Sequence, residues 1–223
     1  GNPMNIALLT ALMTASLACN FSAAGSEPYP SPATHRREKT INREWTFNYF
    51  PAENADSRGC EAPAFDDSAW PAIAIPHTWH TCETTGKVHP FIYDAAEKDD
   101  SHWWFGWGWY RKHFSIGKEQ AGRKVFVEFD GVQKYSKVFV NGKLAGDHKG
   151  GYSGFYFDIT DLVQFGEDNV LAVAVNNRQK DPFQIPPMSA GNFDVYGGIY
   201  RDARIVIKDR LHIPFQGTAR HQG

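Results

Sequence analysis

The sequence predicts an all-β chain, a β-sandwich of the jelly-roll kind, and three stretches carry that expectation. Residues 109–116 alternate, with Tyr110, Lys112, Phe114 and Ile116 on one face and Trp109, Arg111, His113 and Ser115 on the other. That is the period of two a strand requires, with Lys112 the polar break in an apolar face. Residues 136–140 run into Asn141-Gly142, a loop whose two centres favour positive φ and the strongest short-range sign of a hairpin. Residues 170–175 are almost wholly apolar, as in a strand central to its sheet. About eight such segments, with no long amphipathic helix and no repeat, suit a sandwich.

Taken in order, the chain begins with a targeting pattern. Residues 6–17 form an apolar stretch of 12 residues, short for a membrane span and right for the apolar region of a signal peptide. Ser16-Leu17-Ala18-Cys19 resembles a loose bacterial lipoprotein cleavage box with Cys19 acylated. The alternative is an ordinary signal peptide, residues 1–24, cut near Ala23-Ala24. Either implies export, to the periplasm or the cell surface, with a membrane role only through a lipid anchor. Residues 20–40, with Pro28, Pro30 and Pro32, read as a flexible tether. Cys60 and Cys82 then remain as an even pair, one disulfide or two thiols, between which spacing does not decide.

The folded part is expected from Ile41 to Ile213. Trp45, Phe47 and Tyr49 alternate with Thr46 and Asn48 as a first strand. Residues 51–67 are rich in breakers and read as a loop. An extended segment passes Ile73 and Ile75 to end at Pro76-His77-Thr78-Trp79, and residues 81–101, with no clean period, read as a long surface loop. Val125, Val127 and Phe129 mark a strand over 124–129. Phe155, Phe157 and Ile159 mark another, after which Thr160-Asp161 can cap a short helical turn at 162–165. Residues 177–192 hold three prolines and read as loop. Residues 199–207 form the last strong strand, and 211–215 can begin a further one. A net charge of −2 lacks the basic footprint that nucleic acid needs, which excludes that class of partner.

The collinear set Asp67-x-x-Trp70, Pro76-His77-x-Trp79, Gly108-Trp109-Tyr110-Arg111-Lys112, Phe129-Asp130-Gly131-Val132, Val140-Asn141-Gly142, Gly150-Gly151-Tyr152, Phe157-Asp158-Ile159-Thr160, Asn169-Val170-Leu171-Ala172-Val173 and Gly197-Gly198-Ile199-Tyr200-Arg201-Asp202 resembles the N-terminal domain of glycoside hydrolase family 2. Any one motif would be weak; their shared order is specific. The resemblance covers residues 41–213 and implies a galactose-binding-domain-like jelly roll. It also implies β-linked glycans as ligands, no cofactor, and a retaining β-galactosidase-like or β-glucuronidase-like enzyme. In the family an immunoglobulin-like domain and a TIM barrel follow, and the barrel holds both catalytic carboxylates. No catalytic residue is therefore expected in this chain, with 214–223 beginning the linker to the next domain. The alternatives are a free-standing carbohydrate-binding or adhesion module and a structural spacer.

Candidate chemistry inside the chain is sparse. Asp66-Asp67, Asp99-Asp100 and Glu167-Asp168 are adjacent acids in loops, where Asp serves turns. His77, His80 and Cys82 lack a fourth ligand for a closed zinc site, so no metal is expected. Trp103, Trp104, Phe105, Trp107 and Trp109 cluster within seven residues. Trp109 belongs to a strand and to the core. Trp103, Trp104 and Trp107 either stack on sugar faces or anchor against another domain. The resemblance aligns Asn192 with an acid that reaches sugar hydroxyls in family members, with Asp194 two residues on. An amide there gives up the charge-assisted bond. Both residues can instead serve the turn alone.

Overall fold

The computed structural model describes residues 36–50, 59–79, 106–177, 185 and 197–213. They form a β-sandwich of ten strands: β1 (Arg37–Thr40), β2 (Trp45–Phe50), β3 (Ala72–Ile73), β4 (Trp107–Ser115), β5 (Lys124–Phe129), β6 (Tyr135–Val140), β7 (Lys143–Lys149), β8 (Phe155–Asp158), β9 (Asp168–Asn176) and β10 (Ala203–Lys208). One sheet has four strands in the order β1-β10-β5-β8 and the other six in the order β3-β2-β4-β9-β6-β7. Every pairing is antiparallel. Between the sheets lies the main core, where Val125, Val127, Phe129 and Ile205 of one meet Phe47, Tyr110, Phe114, Val138, Leu171 and Val173 of the other.

The six-stranded sheet buries its outer face as well. There Trp107, Trp109, Tyr135, Ala172 and Ala174 form a second core with Cys60 and Ile185, flanked by Phe50, Phe65, Trp70 and Phe139. β9 contributes Ala172 and Ala174 to this cluster, and the space they leave lets Trp109 of β4 stack on Phe139 of β6 across it, centroids 5.8 Å apart. Burial on both faces removes the polar alternation that exposed strands show, hence the unbroken apolar run at 170–175.

The cover is held down by Arg111, which points outward from β4 and is 1% exposed. Its Nε donates to Asp67 Oδ2 at 3.1 Å, its Nη1 to the carbonyls of Cys60 and Ala62, and its Nη2 to that of Phe65 at 3.3 Å. The guanidinium also lies 5.3 Å from the Phe65 ring centroid. Thr46 of β2 donates a second bond to Asp67, at 2.6 Å. A planar cation with several fixed donors suits this task, because one side chain satisfies carbonyls that a loop on an apolar sheet would otherwise bury unpaired. Facing the other way, Lys112 reaches the carbonyl of Arg43 at 2.7 Å.

Several boundaries differ from expectation. The fold starts at Arg37, not Ile41, because Arg37–Thr40 pairs with β10, although 37–40 lie in the expected tether. All four side chains are exposed, so the backbone ladder alone makes the strand and no alternation announces it. β4 begins at Trp107, not Trp109. The expected helical turn after Thr160-Asp161 is a non-helical turn at 160–162, in which Asp158 Oδ1 accepts from the Thr160 N–H at 3.0 Å. Residues 211–213 form no strand, and 214–215 lie outside the described residues. The hairpin is as expected, with Asn141 and Gly142 at φ 51° and 80° between β6 and β7.

Replacing Arg111 with Ala strands Asp67 and the loop carbonyls in a buried setting. It is expected to lower the unfolding free energy by about 3 kcal/mol, read from urea denaturation. Removing the exposed Lys124–Asp158 pair with Lys124→Ala is expected to leave it close to the wild-type value, since solvent screens an exposed pair. Equal effects would show that Arg111 does not pin the cover.

Candidate functional site

One end of the sandwich gathers the starts of the two segments that carry the sequence candidates. At its centre stands Trp79, 1% exposed and stacked on Phe47 with centroids 5.6 Å apart. Two glycines form its slot. A Cβ on Gly108 would stand 2.5 Å from the indole, and one on Gly197 only 2.0 Å, so neither position admits a side chain. Gly198 has φ +123°, and a Cβ there would meet the His77 carbonyl and the Tyr110 hydroxyl, each at 2.5 Å. Thus Gly197-Gly198 is a packing motif, in keeping with its not opening a helix.

Backbone bonds lock this packing. His77 N–H donates to Ile199 O at 2.8 Å and Trp79 N–H to Gly197 O at 3.1 Å. Tyr110 rises from β4 beneath them, its hydroxyl accepting from the Ile199 N–H at 3.4 Å and lying 2.7 Å from His77 Nδ1. Burial lowers the His77 pKa to about 4, so near neutral pH the ring is uncharged and Nδ1 accepts a hydrogen bond from the Tyr110 hydroxyl. His77 spends that nitrogen on structure. Its suggested zinc partners, His80 and Cys82, lie outside the described residues.

The segment 80–105 leaves after Trp79 and returns at Gly106, and the segment 178–196 leaves after Asn177 and returns at Gly197. Those four ends share one rim: Gly106 N–H donates to Asn177 Oδ1 at 3.0 Å, Asn177 N–H to Gly106 O at 3.4 Å, and Trp79 N–H to Gly197 O. Trp103, Trp104, Asn192 and Asp194 belong to these segments and lie outside the described residues, as do Cys19, Asp99 and Asp100. Of the cysteine pair, Cys60 is buried in the outer core and Cys82 is outside them.

Trp107 is a correction. It is 2% exposed and packs edge-on against Tyr135, centroids 6.0 Å apart, so it offers no platform to a sugar. As the first residue of β4 it lies on the outer face that Cys60 and Ile185 cover, and nothing local in the sequence distinguishes it from its neighbours in the aromatic run. The acids in the described loops serve structure: Asp66 accepts from the Ser68 N–H, Asp67 holds Arg111, and Asp168 pairs with His113 at 2.5 Å. Hydrogen bonds from Ser68 hold the Asp66 carboxyl below its usual range.

Sequence reasoning passed over Gln133 and Lys134, which lie between the strands read at 124–129 and 136–140. Both are buried at this same end. Gly151, close beneath Gln133, is the one local hint, since a Cβ there would fall 1.5 Å from Gln133 Oε1. A cleft of about 810 Å³ lies at the far end of β4, lined by charges of both signs including Lys39, Glu44, Lys112 and Glu119. It lacks the exposed aromatic platform that sugar faces favour, and it is lined by Asp168, whose carboxylate pairs with His113, but by none of the candidate sugar contacts.

With that geometry in view, the model of the glycosyl hydrolases family 2 sugar binding domain matches residues 38–209. The chain belongs to glycoside hydrolase family 2. The match begins inside β1, in line with the earlier start of the fold. The chain is 31% identical over 185 residues to a β-glucuronidase of Formosa agariphila, covering 81% of this chain and 18% of that one. It is 35% identical to a β-galactosidase of Thermoanaerobacter pseudethanolicus, covering 78% and 21%. A solved β-glucuronidase 2 of Bacteroides uniformis, covalently bound to cyclophellitol-6-carboxylate aziridine, superposes with TM-score 0.62 at 34% identity, covering 77% and 18%. The chain thus spans only 18% and 21% of the two curated relatives.

The depressed His77 pKa makes folding pH-sensitive. The unfolded chain protonates this ring near the ordinary histidine value of 6.5, the folded chain near 4. Between those values the unfolded state binds more protons, so this stability is complete above pH 6.5 and is lost as pH falls toward 4. His77→Gln is expected to flatten that part of the profile in urea midpoints taken from pH 7 to pH 4. A wild-type slope in the variant would show that His77 does not cause it.

Proposed function

We propose that this domain shapes the sugar pocket of an exported, retaining β-glycosidase acting on a β-galactoside or a β-glucuronide. The observation that carries the reading is the shared rim, which brings the ends of both candidate-bearing segments to one end of the sandwich. Membership of the family and the two relatives' names support the substrate class. The catalytic acid/base and nucleophile belong to a TIM barrel of the same polypeptide, joined through an immunoglobulin-like domain, and this chain acts by contact and not by chemistry. Asn192 and Asp194 bond sugar hydroxyls, the amide as both donor and acceptor and the carboxylate as acceptor. Trp103 and Trp104 present rings to the sugar face or to the barrel wall beside it. Export rests on the apolar stretch 6–17, with Cys19 the candidate for lipidation at the periplasmic or cell-surface membrane.

The test is steady-state kinetics on the product of the full reading frame. Asn192→Ala is expected to raise KM for a cleaved nitrophenyl β-glycoside about ten-fold, the worth of one lost hydrogen bond. Trp104→Ala is expected to raise it as well. Wild-type KM in both variants would remove the sugar contact from this domain.

A further inference from the structure

The cleft at the far end of β4 has the make-up of a binding site that the sugar reading leaves unused. It encloses about 810 Å³, within the roughly 300–1,000 Å³ usual for small-molecule sites. Its floor is the open end of the main core, where the buried side chains Ile41, Phe114 and Ile205 line it. Such a floor favours a ligand with an apolar body.

One charged group stands in that floor. Lys112 points inward from β4 and is 6% exposed. Its Nζ donates to the Arg43 carbonyl at 2.7 Å and lies 3.8 Å from Glu44 Oε2. The carbonyl carries no charge, and the carboxylate stands beyond normal hydrogen-bond distance on a side chain 89% exposed. An ammonium has three donors, so Lys112 keeps capacity for a nearer anion. Burial draws its pKa below the ordinary lysine value, Glu44 opposes this, and the charge of Lys39 adds to it. Lys39 lines the cleft as well, a second cation for the same anion.

Glu44 itself holds a left-handed backbone, with φ 60°, which glycine or asparagine adopts more readily. The turn does not need a glutamate. What the residue supplies is a solvent-exposed carboxylate beside a buried ammonium, held loosely enough for another anion to displace it.

We propose that this cleft binds a small organic carboxylate. The ligand's carboxylate bonds the Lys112 ammonium in place of Glu44, with Lys39 beside it, and its apolar body lies on Ile41, Phe114 and Ile205. The proposal does not depend on the sugar contact described above.

Isothermal titration calorimetry on the product of the full reading frame tests it. Benzoate serves as the carboxylate with an apolar body, benzyl alcohol as its neutral counterpart, and inorganic phosphate as an anion without such a body. Benzoate is expected to bind at one site with a Kd below about 1 mM, and the other two at least about ten-fold more weakly. Lys112→Met is expected to weaken benzoate about ten-fold, the worth of one charge-assisted hydrogen bond. Glu44→Gln is expected to tighten it about three-fold, because the ligand no longer displaces a competing carboxylate. A merely structural Lys112 would not give those opposite signs. Glu44 is exposed, so Glu44→Gln carries the test should Lys112→Met fail to fold. No binding of benzoate overturns the site. Benzoate affinity unchanged by Lys112→Met, or unchanged or weakened by Glu44→Gln, overturns its placement at Lys112, whichever pocket of the longer product takes the probe. Equal binding of benzyl alcohol, or tighter binding of phosphate, overturns the carboxylate assignment.

Discussion

The six-stranded sheet has two apolar faces, and the four-stranded sheet covers only one. The rest of the molecule follows from that imbalance. β4 and β9 turn Tyr110, Leu171 and Val173 inward and Trp107, Trp109, Ala172 and Ala174 outward. With no third sheet among the described residues, connecting segments cover the outer residues, and they bring backbone carbonyls that need partners. Two buried cations meet the need. Arg111 satisfies the carbonyls of Cys60, Ala62 and Phe65, and Lys134 that of Ile185. In each case a charge is tolerated in an apolar layer because it organises backbone that the layer requires.

Structure and the proposed function thereby share the same segments. Ile185 packs into the outer core and lies in sequence between Asn177 and Gly197, the two ends of the candidate-bearing segment. At its return, Gly197 admits Trp79 by having no side chain, and Gly198 lies against Tyr110 and His77. The result is a firm rim from which both candidate-bearing segments spring. Sites built on loops gain precision when their ends are fixed by packing, and at this rim a tryptophan slot and a tyrosine hydroxyl hold the chain at Gly197–Ile199.

What the sequence revealed follows from which contacts are local. The alternation of β4, the Asn141-Gly142 turn and the apolar run of β9 record their environment within a few residues, and the order of short motifs carried the family. β1 could not be read, because its four exposed residues owe their conformation to a partner strand more than 160 residues away. Trp107 looked like a surface aromatic because its cover comes from residues 60 and 185, neither of which marks itself as a lid. Arg111 was legible as part of a motif but not as a pin, and Lys134 showed no sign at all, since burial of a polar residue is decided by distant packing. Of the candidate site, the rim is described by the structure, while Asn192, Asp194, Trp103 and Trp104 rest on sequence.

The most direct measurement compares hydrolysis of a panel of nitrophenyl β-glycosides, galactoside and glucuronide included, by the 223-residue chain and by the product of the full reading frame. A domain that contacts sugar but holds no catalytic carboxylates gives turnover with the longer product alone, and the cleaved member of the panel names the sugar. Turnover by the 223-residue chain would contradict this, because it would place the chemistry within the sandwich itself.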